Sequence, residues 1–444
     1  MPRFMLVTAA ARPHWHHAAR IVALLGLGLA AAGCNLDLEN PNSPPQNEVL
    51  STPDGAFALA VGMQAQFANS IDDYVVTNSL ITDEWGTRSR ALVSYISLFT
   101  GQNIDNSYLV IESPWDNSYQ TIRSANTLLA NVGTLGFGPA LTNQFTALAK
   151  LYKAMAFGML IQQYQSVPID ISVAGPALQP RAVVLDTVLA LLQSARTDLG
   201  QVTDADIAAS RSRLLGAGFD FRNTVNAMLA RYQLMAGNYA EAIAAADSVD
   251  PNVLSVLSYP IPERNPIEDL AFQLAYVGAL KSFVDEAQPG DQRPAYWVDV
   301  SAAPLASNPP DSVILPLKKY SDPVNPEPFP LYLPDEMLLI KAEALTRLGQ
   351  NAQAATLVND VRTQTSSSVD QPVAGLPALP ASALDTQDEL LAEIAYERRY
   401  ELFEQGLRWE DTRRFGAALT TTPTLEFLPV PRSECVTNPS HPCG

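Results

Sequence analysis

Two stretches decide the fold. In the first, Met337-Leu338-Leu339-Ile340-Lys341-Ala342-Glu343-Ala344 is followed by Gly349 and then Ala352-Gln353-Ala354-Ala355. In the second, which lies earlier in the chain, apolar residues at helical spacing run from Asn223, stop at Gly237-Asn238 and resume through Tyr239, Ala242, Ile243 and Ala246. Apolar residues three and four apart lie on one face of a helix, and a glycine between two such runs ends one helix and lets the chain turn into the next. The spacing therefore predicts a helix-turn-helix hairpin over Leu333–Thr363 and another over Asn223–Val249.

Outward from these hairpins the pattern stays helical. Thr52 as a cap and Pro53 at the first helical position open a helix to about Asn69, and further helices are predicted over Ser113–Val132, Thr142–Gln165 and Ala182–Gly200. Thr386-x-x-Glu389 forms a capping box for a last long helix through Glu404. Three stretches break the pattern. Residues at about 71–112 are mixed and rich in Ser, Thr, Asn and Tyr. Those at about 255–330 are crowded with prolines, which exclude a long helix, and a shorter Pro-rich insertion occupies about 370–380. Both hairpins resemble tetratricopeptide units, whose small residues let paired helices approach and stack. The expected fold class is mostly α, a tetratricopeptide-like helical-hairpin scaffold with long irregular loop insertions.

The chain has 444 residues, 47% hydrophobic and 17% charged, and its 46 acids outnumber 28 basic residues for a net charge of −18. The composition is that of a globular protein, and the charge repels phosphate backbones, so nucleic acid is excluded as a natural partner. At the N-terminus, Arg3, Arg12 and Arg20 precede an apolar run from Ile21 to Ala32, and Gly33-Cys34 follows. That order reads as an export signal, because the run is too short to span about 30 Å of bilayer. Ala32-Gly33-Cys34 resembles a lipobox, which makes residues 1–33 a lipoprotein signal peptide and Cys34 the acylated residue, with ordinary signal cleavage as the alternative. Residues 34–50 then form a polar, Pro-rich lipidated tether, and 51–444 a single domain. Asn35 after the cysteine points to the outer membrane.

His14, His16 and His17 leave with such a signal, so His441 is the only histidine of the exported chain. Triads that need a histidine and His-rich metal sites are thereby removed, and no phosphate-binding or dinucleotide loop occurs. What survives is carboxylate chemistry. In an oxidising compartment Cys435 and Cys443 are candidates for a structural disulfide, with a metal pair involving His441 as the lesser alternative.

The run Glu397-Arg398-Arg399-Tyr400-Glu401-Leu402-Phe403-Glu404-Gln405-Gly406-Leu407-Arg408-Trp409-Glu410-Asp411-Thr412-Arg413-Arg414-Phe415-Gly416 resembles the C-terminal signature of the SusD/RagB nutrient-uptake lipoproteins. Trp115-x3-Tyr119-x2-Ile122-x3-Asn126, Tyr164-Gln165-Ser166-Val167-Pro168, Ala342-Glu343-Ala344 with Asn359-x2-Arg362, and Phe427-Leu428-Pro429-Val430-Pro431 resemble further segments of that family in the same order. Gln165 stands where a glycine is frequent, and Asp291-Gln292-Arg293 approximates the family's Asp-Pro-Arg. The resemblance implies a surface lipoprotein, anchored in the outer membrane, that binds an oligosaccharide or other nutrient and acts as a lid on a SusC-like TonB-dependent transporter. It implies no enzyme and no cofactor. The signature arginines read as structural, pairing with Glu397, Glu401, Glu404, Glu410 and Asp411 at helical spacing.

A sugar site needs flat aromatic faces beside carboxylates or amides. Trp85 with Asp83 and Glu84, Trp297 with Tyr296, and Tyr74 with Asp72 and Asp73 are the candidates. Two other readings remain open at this stage: a scaffold of the same fold that binds a peptide or protein, and a two-carboxylate glycoside hydrolase.

Overall fold

Helix α1, Pro53–Ala68, begins as its sequence dictates, with Thr52 Oγ1 accepting from the Gly55 N–H at 3.1 Å and Pro53 where no N–H is needed. The structure is a computed structural model that describes residues 52–260, 263–322, 324–416 and 423–440. The remaining helices of substance are α2 (Ile71–Ile81), α3 (Val93–Thr100), α4 (Leu109–Asn131), α5 (Pro139–Gln163), α6 (Arg181–Leu199), α7 (Asp204–Leu214), α8 (Phe221–Met235), α9 (Tyr239–Ala246), α10 (Pro334–Arg347), α11 (Asn351–Arg362), α12 (Gln387–Glu401), α13 (Arg408–Phe415) and α14 (Arg432–Thr437). The signal peptide and tether expected over 1–50 lie outside the described residues.

The two hairpins form at their expected places, α8–α9 and α10–α11. Gly237 and Gly349 turn them at φ +76° and +74°, a left-handed conformation that costs an L side chain but not glycine. Each helix packs on the next along the array, α5 on α6, α6 on α8, α9 on α10, and α12 across both α10 and α11. Gly158 lets α5 approach α8 at close range, since a Cβ there would lie 2.0 Å from Tyr232 Oη. The main core runs along these faces, with Phe145, Leu148, Leu160, Leu192, Val225 and Ile340 all buried, and a second cluster of Leu345, Val358, Leu390 and Ile394 lies between α10, α11 and α12.

The stretch over 71–112 departs from expectation. It carries α2, strand β1 (Trp85–Thr87) and α3, and already contains the start of α4. Ile71-Asp72-Asp73-Tyr74-Val75-Val76-Thr77-Asn78-Ser79-Leu80-Ile81 has weak helix propensity, but every residue from Tyr74 to Ile81 is buried, and tertiary burial overrides propensity. Helix α7 lies outside the expected helices, although Thr203 and Asp206 form a complete capping box at its start. Helix α12 starts on the expected Thr386–Glu389 capping box and stops at Glu401, short of Glu404, which has φ +63°.

The 255–330 insertion consists of short pieces. Strand β5 (Val277–Leu280) pairs antiparallel with β1 and with β6 (Ile314–Leu315), matching Trp85 to Ala279 and Thr87 to Val277. Two smaller pairs, β2 (Ser166–Pro168) with β3 (Leu178–Pro180) and β4 (Val256–Leu257) with β7 (Phe329–Pro330), tie loops to the helical body.

The signature arginines pair along α13, as Arg413 and Arg414 do with Glu410 and Asp411, and also across the fold. Arg398 binds Asp411 at 2.9 Å, Arg414 reaches Glu343 of α10 at 3.1 Å and Asp411 at 2.7 Å, and Arg399 meets Glu286 at 2.6 Å. Arg293, from a one-turn helix in the insertion, is completely buried between Asp291 at 2.7 Å, Glu397 and Glu401. Arg362 of α11 reaches the other oxygen of Glu397 at 3.2 Å.

Removing one partner of a buried ion cluster strands the others without water. Arg293→Met is therefore expected to cost about 3–5 kcal/mol of folding free energy, whereas Arg399→Met, at a pair whose Glu286 is half exposed, costs about 1 kcal/mol or less. Denaturant titration of the two variants checks this ordering, and equal losses would contradict it.

Candidate functional site

The aromatic residues singled out from the sequence mostly serve the core. Trp85 and Trp297 are 0% and 1% exposed, and the Trp297 indole N–H donates to the Tyr400 carbonyl at 2.9 Å. Neither indole presents a face to a ligand, which corrects the expectation drawn from their polar neighbours: those neighbours mark β1 and a one-turn helix packed under the signature helices. Tyr74 is buried as well, its hydroxyl donating to Gln162 Oε1 at 2.7 Å. Glu84 is buried, with its carboxyl pushed up to about 7 by loss of solvation, against the opposing pull of Arg408 and Ser79. Asp83 is half-buried at φ +56°. Tyr296 is half-buried, donating to Asp370 at 3.0 Å beneath the Lys319 ammonium, which lies 5.2 Å from its ring centre. Cys34, Cys443 and His441 lie outside the described residues, and Cys435 sits in α14.

A different set of groups converges nearby. Asp72 and Asp73 occupy the first turn of α2, Tyr95 projects from α3, and Asp269 and Tyr276 bracket a π-helical turn, Asp269–Gln273, that leads into β5. The Tyr95 and Tyr276 rings lie 5.5 Å apart at 44°, and both residues are partly exposed. Backbone register positions Tyr276. Its carbonyl accepts from the Arg88 N–H at 2.8 Å, one step beyond the β1–β5 pairing, while Arg88 Nη1 donates to the Ala271 carbonyl at 3.1 Å and holds the π turn. Ala275, at φ +59°, makes the bend between them.

Asp72 and Asp73 are held against ionisation. Burial raises Asp72 above the ordinary carboxylate range, and the charges of Asp73 and Asp269 raise it further. Burial also raises Asp73, although Asn117 Nδ2 donates to its Oδ2 at 2.7 Å and favours the charged form. Asn117 is itself oriented by Gln66, whose amide donates to Asn117 Oδ1 at 3.0 Å. Partial burial and the nearby charges of both aspartates and Tyr276 raise the Tyr95 hydroxyl above its ordinary value. The arrangement offers two aromatic faces, three carboxyl groups and an oriented amide pair, which suits a ligand with C–H faces and many hydroxyls. No group of three or more His, Cys, Asp or Glu side chains placed to hold a metal ion occurs among the described residues.

Asp72 and Asp73 immediately precede Tyr74 and so lay within reach of the sequence. Tyr95, Asp269 and Tyr276 did not, because only the β1–β5 pairing and the π turn bring residues nearly two hundred positions apart together.

Solved structures of SusD superfamily proteins share this fold. A SusD superfamily protein from Bacteroides fragilis superposes with a TM-score of 0.70 at 18% identity, covering 88% of this chain and 99% of that one. A SusD-like carbohydrate binding protein from Bacteroides vulgatus gives 0.69 at 15% identity, covering 88% and 98%. A laminarin binding SusD-like protein gives 0.60 at 18% identity, covering 86% and 97%. At the level of sequence, residues 325–434 match the SusD family, which bears out the resemblance read from the signature. The SusD-like protein P38 of Formosa agariphila is 39% identical over 85 residues, which span 19% of this chain and 16% of the length of that relative. No helix among the described residues is long and apolar enough to cross a membrane.

Because their folded-state values are raised, Asp72 and Asp73 contribute most to stability below the usual carboxylate range, and that contribution is lost as pH rises through the folded values. Asp72→Asn, which imitates the protonated acid, should therefore raise the thermal midpoint at about pH 8, and the gain should vanish near about pH 4. Thermal scans across that range provide the check; a lower midpoint at the alkaline end would show that the charged form is the stabilised one.

Proposed function

We propose that the protein is a non-catalytic glycan-binding lipoprotein of the cell surface, which captures an oligosaccharide and delivers it to a SusC-like TonB-dependent transporter for which it acts as a lid. The observation that carries this reading is the Tyr95–Tyr276 pair set against Asp72, Asp73 and Asp269. Flat rings cover the apolar face of a pyranose, and carboxyl groups exchange hydrogen bonds with adjacent hydroxyls. The fold supports it in turn, since structures that share it bear the names carbohydrate binding and laminarin binding proteins. Anchoring through Cys34 would keep receptor and transporter on one surface, raising their effective concentration.

Glycan-array screening of the full chain, followed by titration calorimetry on the best binder, tests the reading. Tyr95→Ala and Tyr276→Ala are each expected to weaken binding by about tenfold, equivalent to about 1.4 kcal/mol for one lost stacking contact. Folded protein that binds no saccharide, or binds equally well without either ring, would refute the site. Turnover of the bound glycan would replace a carrier with a two-carboxylate hydrolase. Tagged protein purified from solubilised outer membrane should bring down a TonB-dependent transporter in near-equal amount.

A further inference from the structure

We propose that a second cleft of the protein binds an uncharged, mostly apolar molecule bearing a hydroxyl group, a phenol being the simplest case, with Gln64 and Tyr152 as its hydrogen-bonding residues. The cleft shares no residue with the Tyr95–Tyr276 site and stands independently of the glycan reading. It has a volume of about 590 Å³, within the range of small-molecule sites, and is lined by α1, by the connection from α7 to α8, by β4 and the residues after it, and by Tyr152 of α5. Hydrogen bonds within the protein tie its walls together. Gln64 Nε2 donates to the Leu214 carbonyl at 2.7 Å, Tyr259 Oη to the Ala68 carbonyl at 3.0 Å, and Ser258 Oγ to the Ala217 carbonyl at 2.6 Å. Gly218, at φ +72°, lets the α7–α8 connection lie against β4, since a Cβ there would be 2.6 Å from Val256 Cγ2. The cleft is therefore preformed.

Its surface is mostly apolar. Buried Leu215 and Leu257 line it together with the Tyr152 and Phe219 rings, which stack at 6.2 Å and 25°, while exposed Ala65 and Ala217 are small enough to leave it open. Two polar groups interrupt that surface. Gln64 is 8% exposed and spends both amide hydrogens on the Ala60 and Leu214 carbonyls, which leaves its Oε1 accepting from no donor among the described residues. Tyr152 is 1% exposed, and its hydroxyl has no hydrogen-bond partner among the described residues. The charged groups of the lining, Arg213 and Glu263, belong to exposed residues, and Arg213 is paired with Asp54 at 2.7 Å. A buried acceptor left without a donor is costly, and a ligand hydroxyl brings a donor for Gln64 Oε1 and an acceptor for the Tyr152 O–H. A saccharide suits the cleft poorly, because its many hydroxyls would meet few partners and a wall of carbon.

The full chain would be titrated with β-naphthol, followed by its own fluorescence, and with β-naphthyl methyl ether, β-naphthalenesulfonate and a neutral β-glucan oligosaccharide for comparison. β-Naphthol is expected to bind at least about tenfold more tightly than the ether, which has no donor for Gln64, and than the sulfonate, which brings a charge to an apolar wall. Tyr152→Phe should weaken β-naphthol about threefold or more without lowering the thermal midpoint, because the hydroxyl it removes bonds nothing in the protein. Ala65→Phe, at an exposed helical position, should abolish β-naphthol binding by filling the cleft, with circular dichroism confirming that the variant is folded. Equal affinity for β-naphthol and its ether would overturn the proposal, as would β-naphthol binding that survives Ala65→Phe, or none at all by folded protein. Glucan binding that is lost in Ala65→Phe and kept in Tyr95→Ala would give the cleft to saccharides and overturn its ligand class.

Discussion

Arg293 is the constraint on which the rest of the structure depends. It is a guanidinium without solvent, held by Asp291 beside it in the chain and by Glu397 and Glu401 on α12, while Glu397 is shared with Arg362 of α11. Charges in such a place tolerate no partial arrangement, because each unpaired member would pay its full desolvation cost. We read the cluster as a device that fixes geometry more than one that adds stability. It forces the 255–330 insertion, the α10–α11 hairpin and the signature helix into a single mutual placement. Around it, Arg398–Asp411, Arg414–Glu343 and the bidentate Arg231–Glu336 pair extend the same logic into α13, α10 and α8.

From that anchor the insertion runs back to the N-terminal helices. The Trp297 N–H is tied to Tyr400, and the Lys318 N–H to the Trp297 carbonyl at 2.7 Å, so the segment beside Arg293 is clamped on both faces. Strand β5 then meets β1 in a fixed register, and with two glycines facing each other, Gly86 opposite Gly278, the strands leave room for Ile314 and Leu280 to close over them. The π turn that precedes β5 is thereby delivered to α2 and α3. The candidate site is thus the far end of a chain of constraints that starts in the C-terminal third.

The sequence disclosed the parts of the fold that depend on local signals. Thr52-Pro53, Gly237, Gly349 and Thr386-x-x-Glu389 mark helix ends by backbone chemistry that acts within four residues, and each sits where that chemistry placed it. Helix α2 was hidden because its helicity comes from burial of Tyr74 to Ile81 by other elements, which no window of the sequence contains. The same cause hid the roles of Trp85 and Trp297. Polar neighbours suggested exposure, but Glu84 and Arg293 beside them are themselves buried, which composition argues against. For the site, Asp72 and Asp73 were visible as a pair, whereas Tyr95 and Tyr276 become a pair only through strand register.

The sequence match to the SusD family and the candidate site occupy different parts of the chain. The matched segment, 325–434, holds α10 to α13 and most of the ion network, whereas Asp72, Asp73, Tyr95, Asp269 and Tyr276 all lie before it. The likeness in sequence therefore speaks for the scaffold, and the fold-level likeness at 15–18% identity speaks for the arrangement of helices and insertions. Neither carries a ligand with it. The candidate site sits on α2, α3 and the π turn, beside strained bends at Ala275 and Asp83. Carboxyls held against ionisation cost stability at neutral pH, and a site can keep them only where the surrounding body is stable enough to absorb that cost. The buried ion network and the helical core provide such a body for the N-terminal elements.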